Sequence, residues 1–220
     1  MSAVAQIDCM GESLLLLAER AVYWPARNTL LIADWHLGKA DVFGRHGIAI
    51  PDGDVAFDLS RLTAMIAEHD VQRVVVLGDL MHAPPSPADR WPLALSQWLQ
   101  AHHQLQLLIV AGNHDRVQAT DLPQGLGDRL TWHASSLDEG PFRLDHEPND
   151  VPGCYVLAGH IHPTYWLRAG ADRIRAPAFW FRDGHAVLPA FGTFTGGYNI
   201  KPSNGERVWV TGADAVIEVT

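Results

Sequence analysis

The stretch Val74-Val75-Val76-Leu77-Gly78-Asp79 runs four apolar side chains into a glycine and an acid. A short β-branched run closed by a turn signal reads as a strand buried on both faces, and the acid then stands at its carboxyl end. The same arrangement recurs on either side. Leu30-Leu31-Ile32-Ala33 leads into Asp34-Trp35-His36, and Leu105 to Val110 leads through Ala111 into Gly112-Asn113-His114-Asp115. Farther on, Phe142-Arg143-Leu144-Asp145 leads into His146, and Tyr155-Val156-Leu157-Ala158 into Gly159-His160-Ile161-His162.

Helical spacing separates the first three strands. Val55, Leu59, Leu62 and Ile66 repeat at helical intervals behind Pro51 and the N-cap candidate Asp54, as do Trp91, Leu95, Trp98 and Leu99. Strand and helix in alternation predict βαβ units and a mostly parallel sheet through residue 110. The last third reads differently. Ile174 to Phe181, Ala186 to Phe191, Arg207 to Thr211 and Ala215 to Val219 are successive strand candidates with Gly/Asp turns and little helix, so a second, more antiparallel sheet is expected.

Composition bounds the rest. The 220 residues are 47% hydrophobic and 19% charged, enough to bury a core without disulfide or structural metal, and a single domain over 1–220 is expected. Leu14 to Ala18, flanked by Glu12 and Glu19, is neither a signal peptide nor a membrane span. Cys9 and Cys154 form no CxxC pattern, so a reducing cytoplasm is the expected setting. The formal charge of −9 counts against a broadly basic nucleic-acid grip, while 12 His invite a search for metal ligands. GxxxxGK, GxGxxG and GxSxG loops are missing, and His146-Glu147 is followed by Pro148 and has Asp150 where HExxH needs histidine.

In open sheets ligands bind beyond the carboxyl ends of the strands, so five polar clusters at five such ends can converge. Asp, His and Asn are hard or borderline donors suited to Mn, Fe or Zn. The ordered set DxH, GD, GNHD, H and GHxH resembles the calcineurin-like metallophosphoesterases over residues 30–163. That resemblance implies an α/β fold, a four-layer α/β/β/α sandwich of two mixed sheets flanked by helices, around two divalent ions. By position, Asp34, His36 and His162 would hold one ion and Asn113, His146 and His160 the other, with Asp79 bridging. His114 would contact the phosphate or protonate the leaving oxygen, oriented by Asp115. Two cations about 3.5–4 Å apart would clamp a phosphodiester and share the attacking hydroxide.

Further stretches narrow the resemblance. Leu37 to Ala40, Arg45 to Pro51, His146 to Pro148, Pro177 to Phe181 and Leu188 to Gly197 are similar to the bacterial ligase-associated DNA damage response endonucleases (PdeM type). This implies Mn-dependent cleavage of DNA beside a DNA ligase, a helicase and a nuclease-like partner. The alternatives are a phosphodiesterase or phosphatase for a small nucleotide or other ester on the same site, and a non-catalytic binding module. Lys39, Arg45 and Arg116 are candidate phosphate contacts, each equally readable as solvated charge, and His82 follows the Gly78-Asp79 turn closely enough to reach the site.

Overall fold

The computed structural model describes residues 4–48, 54–115, 122, 125–170 and 172–220; Pro51 and Arg116 lie outside them. An antiparallel meander opens the chain: β1 (Val4–Cys9), β2 (Glu12–Leu17) and β3 (Ala21–Trp24). β4 (Thr29–Ala33) follows, then the short helix α1 (Lys39–Arg45), the long helix α2 (Asp54–His69), β5 (Arg73–Leu77), α3 (Trp91–Ala101), β6 (Gln106–Val110) and β7 (Leu130–His133). The first sheet has the order β1-β2-β3-β4-β5-β6-β7. It is parallel from β4 to β7, as the βαβ pattern predicts, but antiparallel from β1 to β4.

The second sheet is built from β8 (Leu137–Glu139), β9 (Phe142–Leu144), β10 (Tyr155–Ala158), β11 (Pro163–Ala169), β12 (Asp172–Phe181), β13 (His185–Val187) and β14 (Tyr198–Asn199). β15 (Arg207–Thr211) pairs with β12 and with β16 (Val216–Glu218). This sheet is mixed as well: β9, β10 and β13 run parallel, while β11, β12 and β15 run antiparallel. The antiparallel character expected of the last third is present, and β11 is an addition to the expected strands.

Alternation along each central strand explains its uniformly apolar sequence. Leu30, Ile32, Val74, Val76, Leu107 and Ile109 face Leu59, Leu62, Met65, Trp91, Leu95 and Trp98 of α2 and α3. Leu31, Ala33, Val75, Leu77 and Val110 point the other way, onto Phe142, Leu144, Leu157, Phe179 and Phe181. Each fully buried Val, Leu, Ile, Met or Phe side chain among these contributes about 1.5–3 kcal/mol of burial. The outer face of the second sheet is covered by Ile200, Tyr165, Leu167 and Val219 around Ala176, Ala178, Val208 and Val210, with no α-helix there among the described residues. No helix of the described residues is long and apolar enough to cross a membrane.

Helix α3 offers an internal comparison. Leu95 is fully buried and Leu93 is 65% exposed. Leu95→Ala is expected to lower unfolding free energy by about 2–5 kcal/mol, and Leu93→Ala to change it by less than about 0.5 kcal/mol, in urea titrations. Equal losses would contradict this packing.

Candidate metal centre

The parallel strands β4, β5, β6, β9 and β10 deliver their polar clusters to one end of the two sheets. The backbone there is unusual. Asp34, His36, Asp79, His160 and His162 all have positive φ, between 50° and 71°, and they are five of nine such non-glycine residues among those described. Left-handed backbone costs an L-residue about 1–3 kcal/mol, so surrounding contacts must hold it.

Those contacts are carboxylates accepting backbone N–H groups. The His160 N–H donates to both Asp34 oxygens, at 2.9 and 3.1 Å. The His114 N–H donates to Asp79 Oδ1 at 2.9 Å. Asp115 accepts from the amides of Leu80, Met81 and Gly112 at 3.0–3.1 Å. Gly78 and Gly112 are required by space: a Cβ at Gly78 would enter the His146 ring, and one at Gly112 would enter the Asp79 carboxylate.

The side chains then form two overlapping groups around Asp79. In the first, His36 Nε2 lies 3.4 Å from His162 Nε2 and 3.7 Å from Asp79 Oδ2, and His162 Nε2 lies 3.3 Å from Asp34 Oδ1. In the second, His146 Nε2 is 2.8 Å from Asn113 Oδ1, 3.0 Å from His160 Nδ1 and 3.7 Å from Asp79 Oδ2. His160 Nδ1 is 3.2 Å from Asn113 Oδ1. Asp34, His36, Asp79 and His146 are buried, whereas Asn113 and His160 are exposed, so a buried floor meets an open rim.

Hydrogen bonds to carbonyls set the ring orientations. A carbonyl only accepts, so Nδ1 of His162, 3.1 Å from Gly196 O, carries a proton and leaves Nε2 turned toward the carboxylates. Nδ1 of His146 faces Leu77 O at 3.4 Å and leaves its Nε2 in the same way. His36 Nδ1 is buried without a hydrogen-bond partner. Burial first, then the His162 and His114 rings and Lys39, push the His36 pKa down to about 2, so the ring is neutral at any working pH. Burial also pushes Asp34 above the ordinary carboxyl range, with His162 opposing part of the shift.

This donor set fits divalent cations. Asp34 with His36 and His162, and Asp34 with Asp79 and His146, each converge closely enough to hold one. Donors bonded at about 2.1 Å to one tetrahedral ion sit roughly 3–4 Å apart. Imidazole nitrogens 3.0 and 3.4 Å apart, beside a fully buried carboxylate, are spaced as donors to a common ion are, and a cation there would offset the burial of the carboxylate. Nitrogen and oxygen donors without thiolate suit Mn, Fe or Zn.

The structure therefore brings together all seven expected ligands and His114. Asp115 differs from expectation. Its carboxylate serves the three amides, and the His114 ring is oriented instead by the His82 carbonyl, 3.0 Å from Nδ1. His82 stacks on the His114 ring, with centroids 5.4 Å apart and planes at 18°, so it does reach the site. His36, His82 and His114 form a third convergent group. Lys39 is half-buried beside His36 and His82, and burial lowers its pKa. Arg45 is committed elsewhere, in an ion pair with Asp89. Trp35 is core, edge-on to Phe191 with centroids 5.5 Å apart.

Asp58 is a positioning residue that the sequence did not single out. Its carboxylate accepts from the Thr193 hydroxyl at 2.5 Å and from Arg61 at 2.6 Å, and Arg61 also donates to Phe191 O at 2.6 Å. Helix α2 thereby holds the 191–196 turn whose Gly196 carbonyl orients His162. Nothing in the run Gly192-Thr193-Phe194-Thr195-Gly196-Gly197 signals a partner on α2.

Comparison with known proteins gives three findings. A family model for the calcineurin-like phosphoesterases matches residues 27–212. The crystal structure of Pseudomonas putida nuclease MPE superposes with a TM-score of 0.83 at 36% sequence identity, covering 97% of this chain and 100% of that one. One component of the nuclease SbcCD of Rhodobacter capsulatus is 28% identical over 124 residues, which is 54% of this chain and only 29% of that protein's length.

Two expectations follow for the metal-free protein. Gly78→Ala should displace His146 and diminish the thermal shift on adding Mn, whereas Gly44→Ala, where a Cβ meets nothing within 4 Å, should stabilise helix α1 by up to about 1 kcal/mol. Differential scanning fluorimetry with chelator or Mn reads both. His36 fixes a pH dependence. Its folded pKa lies below the unfolded value of 6.5, so the unfolded chain binds the extra proton and stability is lost as pH falls below 6.5. Urea midpoints between pH 7 and 5 should drop more for the parent than for His36→Gln, and equal drops would remove the burial argument.

Proposed function

The chain belongs to the calcineurin-like phosphoesterase family, and from that premise we propose that it is a two-metal phosphodiesterase that cuts DNA. Family membership makes it a metal-dependent phosphoesterase. The observation that carries the finer reading is the Asp79 carboxylate, whose Oδ2 is 3.7 Å from Nε2 of both His36 and His146 and so belongs to both donor groups. In this reading Asp34, His36 and His162 hold one ion, Asn113, His146 and His160 the other, and Asp79 is shared. When bound, the ions, of which Mn is the proposed identity, supply Lewis acidity to a phosphoryl oxygen and lower the pKa of the attacking water.

The chain's own groups do the remaining work. The amide bond to Asp79 fixes the backbone of His114, and the His82 carbonyl fixes its ring with the proton on Nδ1. Nε2 is then the free position, and in the protonated ring it donates to the departing oxygen as bonding to phosphorus is lost. Lys39 supplies positive charge beside His36 for a phosphate oxygen. The buried floor excludes water from the carboxylates, while exposed Asn113 and His160 leave the site open on its outer side. An open rim admits a polymer. This geometry, together with the likeness to proteins described as nucleases, supports DNA over a small ester. The similarity of residues 37–40, 45–51, 146–148, 177–181 and 188–197 to ligase-associated endonucleases extends the proposal to work beside a DNA ligase, a helicase and a nuclease-like partner.

Purified protein with Mn is expected to hydrolyse both bis-p-nitrophenyl phosphate and single-stranded DNA. Asp79→Asn should abolish both activities and reduce bound metal. His114→Ala should lower kcat by about 10²–10⁴ with metal content retained. Turnover of the small ester without any DNA cleavage would reject the nuclease reading in favour of a small-ester phosphodiesterase.

A further inference from the structure

Strands β11 and β12 form a hairpin that begins at the residue after His162, and one of its faces gathers basic side chains. Three of the chain's 16 basic residues, Arg168, Arg173 and Arg175, lie on it. The register pairs Trp166 with Arg175 and Arg168 with Arg173, and alternation places all four side chains on one face. All four are exposed. The nearby acid, Asp172, falls on the opposite face with Leu167 and Ile174.

Elsewhere six of the described arginines are matched with acids: Arg45 with Asp89, Arg61 with Asp58, Arg73 with Glu139, Arg143 with Asp138, Arg182 with Glu206 and Arg207 with Glu218. Among the described residues, the three hairpin arginines take part in no such ion pair. In a chain of net charge −9 this is a local reversal of sign. Like charges directly opposite across a strand pair are destabilising, so folding alone does not account for Arg168 facing Arg173. The Arg173 guanidinium stacks 4.5 Å from the Trp166 ring centroid. Stacking fixes the planar group while leaving its N–H donors for phosphate oxygens.

We propose that this face binds the backbone of a single DNA strand leading out of the metal cleft, with Arg168, Arg173 and Arg175 on successive phosphates and Trp166 offering a base a stacking edge. At about 3.3 Å per residue, Trp166 stands about 13 Å and Arg168 about 20 Å along the strand from His162, so the contacts belong to nucleotides beyond the cleaved bond. The inference rests on the proposed action on DNA. It also reconciles that action with an acidic protein, since a short basic track replaces a broadly basic surface.

The test compares the parent with Arg168→Ala/Arg173→Ala/Arg175→Ala and with the corresponding triple lysine variant. Fluorescence anisotropy with a labelled oligothymidylate in chelator reads binding without catalysis. The alanine variant is expected to bind about tenfold more weakly at low salt, with a salt slope shallower by about 2, and the lysine variant to keep most of the affinity. Hydrolysis of bis-p-nitrophenyl phosphate should be unchanged in both. An alanine variant that binds DNA with the parent's affinity and slope overturns the proposal. So does a shift from dimer to monomer in light scattering with DNA binding intact, which would make the face a contact between copies. Arginine-dependent binding by a parent that cleaves no DNA would sink the nuclease reading and leave the hairpin's role standing.

Discussion

Acceptance of backbone amides by buried carboxylates is the interaction on which the site depends. Asp34 holds the loop after β10 through the His160 amide. Asp79 holds the loop after β6 through the His114 amide. Asp115 returns from that loop to the one after β5 through Leu80 and Met81. Each acid comes from one strand end and fastens another, so loops that carry the candidate ligands are tied by those same residues or by their neighbours. A carboxylate has more lone pairs than one ion uses, and the surplus serves the scaffold.

The same economy explains where strain is tolerated. Left-handed backbone at Asp34, His36, Asp79, His160 and His162 aims side chains inward from strands that would otherwise continue straight. The cost is met outside the centre, by the hydrophobic packing of β4, β5 and β6 between α2 and α3 on one side and the second sheet on the other. Helix α2 also reaches the centre directly, because Asp58 and Arg61 fix the turn that orients His162. Stability of the layers and orientation of the ligands are therefore one problem rather than two.

Much of this is legible in the chain itself. Strands such as Val74 to Leu77 advertise themselves because both of their faces are buried, and a polar residue after such a run can only be at an edge. The seven convergent donor residues are found this way. Other features carry no local signal. β2 is hidden because Ser13-Leu14-Leu15-Leu16-Leu17 shows no alternation, its partners being β1 and β3 rather than a helix. β11 escapes notice because Pro163 and the polar Thr164 open it. Asp115 misleads for a different reason. Adjacency to His114 suggests a side-chain pair, but the tight turn sends the carboxylate to amides far along the chain, and His114 finds a carbonyl, which has no letter in a sequence. Arg45 likewise looks available until the fold brings Asp89 to its guanidinium.

The pairing of β4 with β5 has one last implication. The strands end in register, Ala33 beside Leu77, and the two loops beyond rejoin in a parallel bridge between Leu37 and Met81. Hydrogen bonds from Asp34 N–H to Gly78 O, from His36 N–H to Asp79 O and from Leu37 N–H to Leu80 O tie the loops along their course. They thus span equal numbers of residues and behave as a matched pair of rails. A residue inserted in one would put every later contact out of step with the other. Innovation in this protein is thereby channelled: the two rails keep a common length, and new chain must be added elsewhere around the rim.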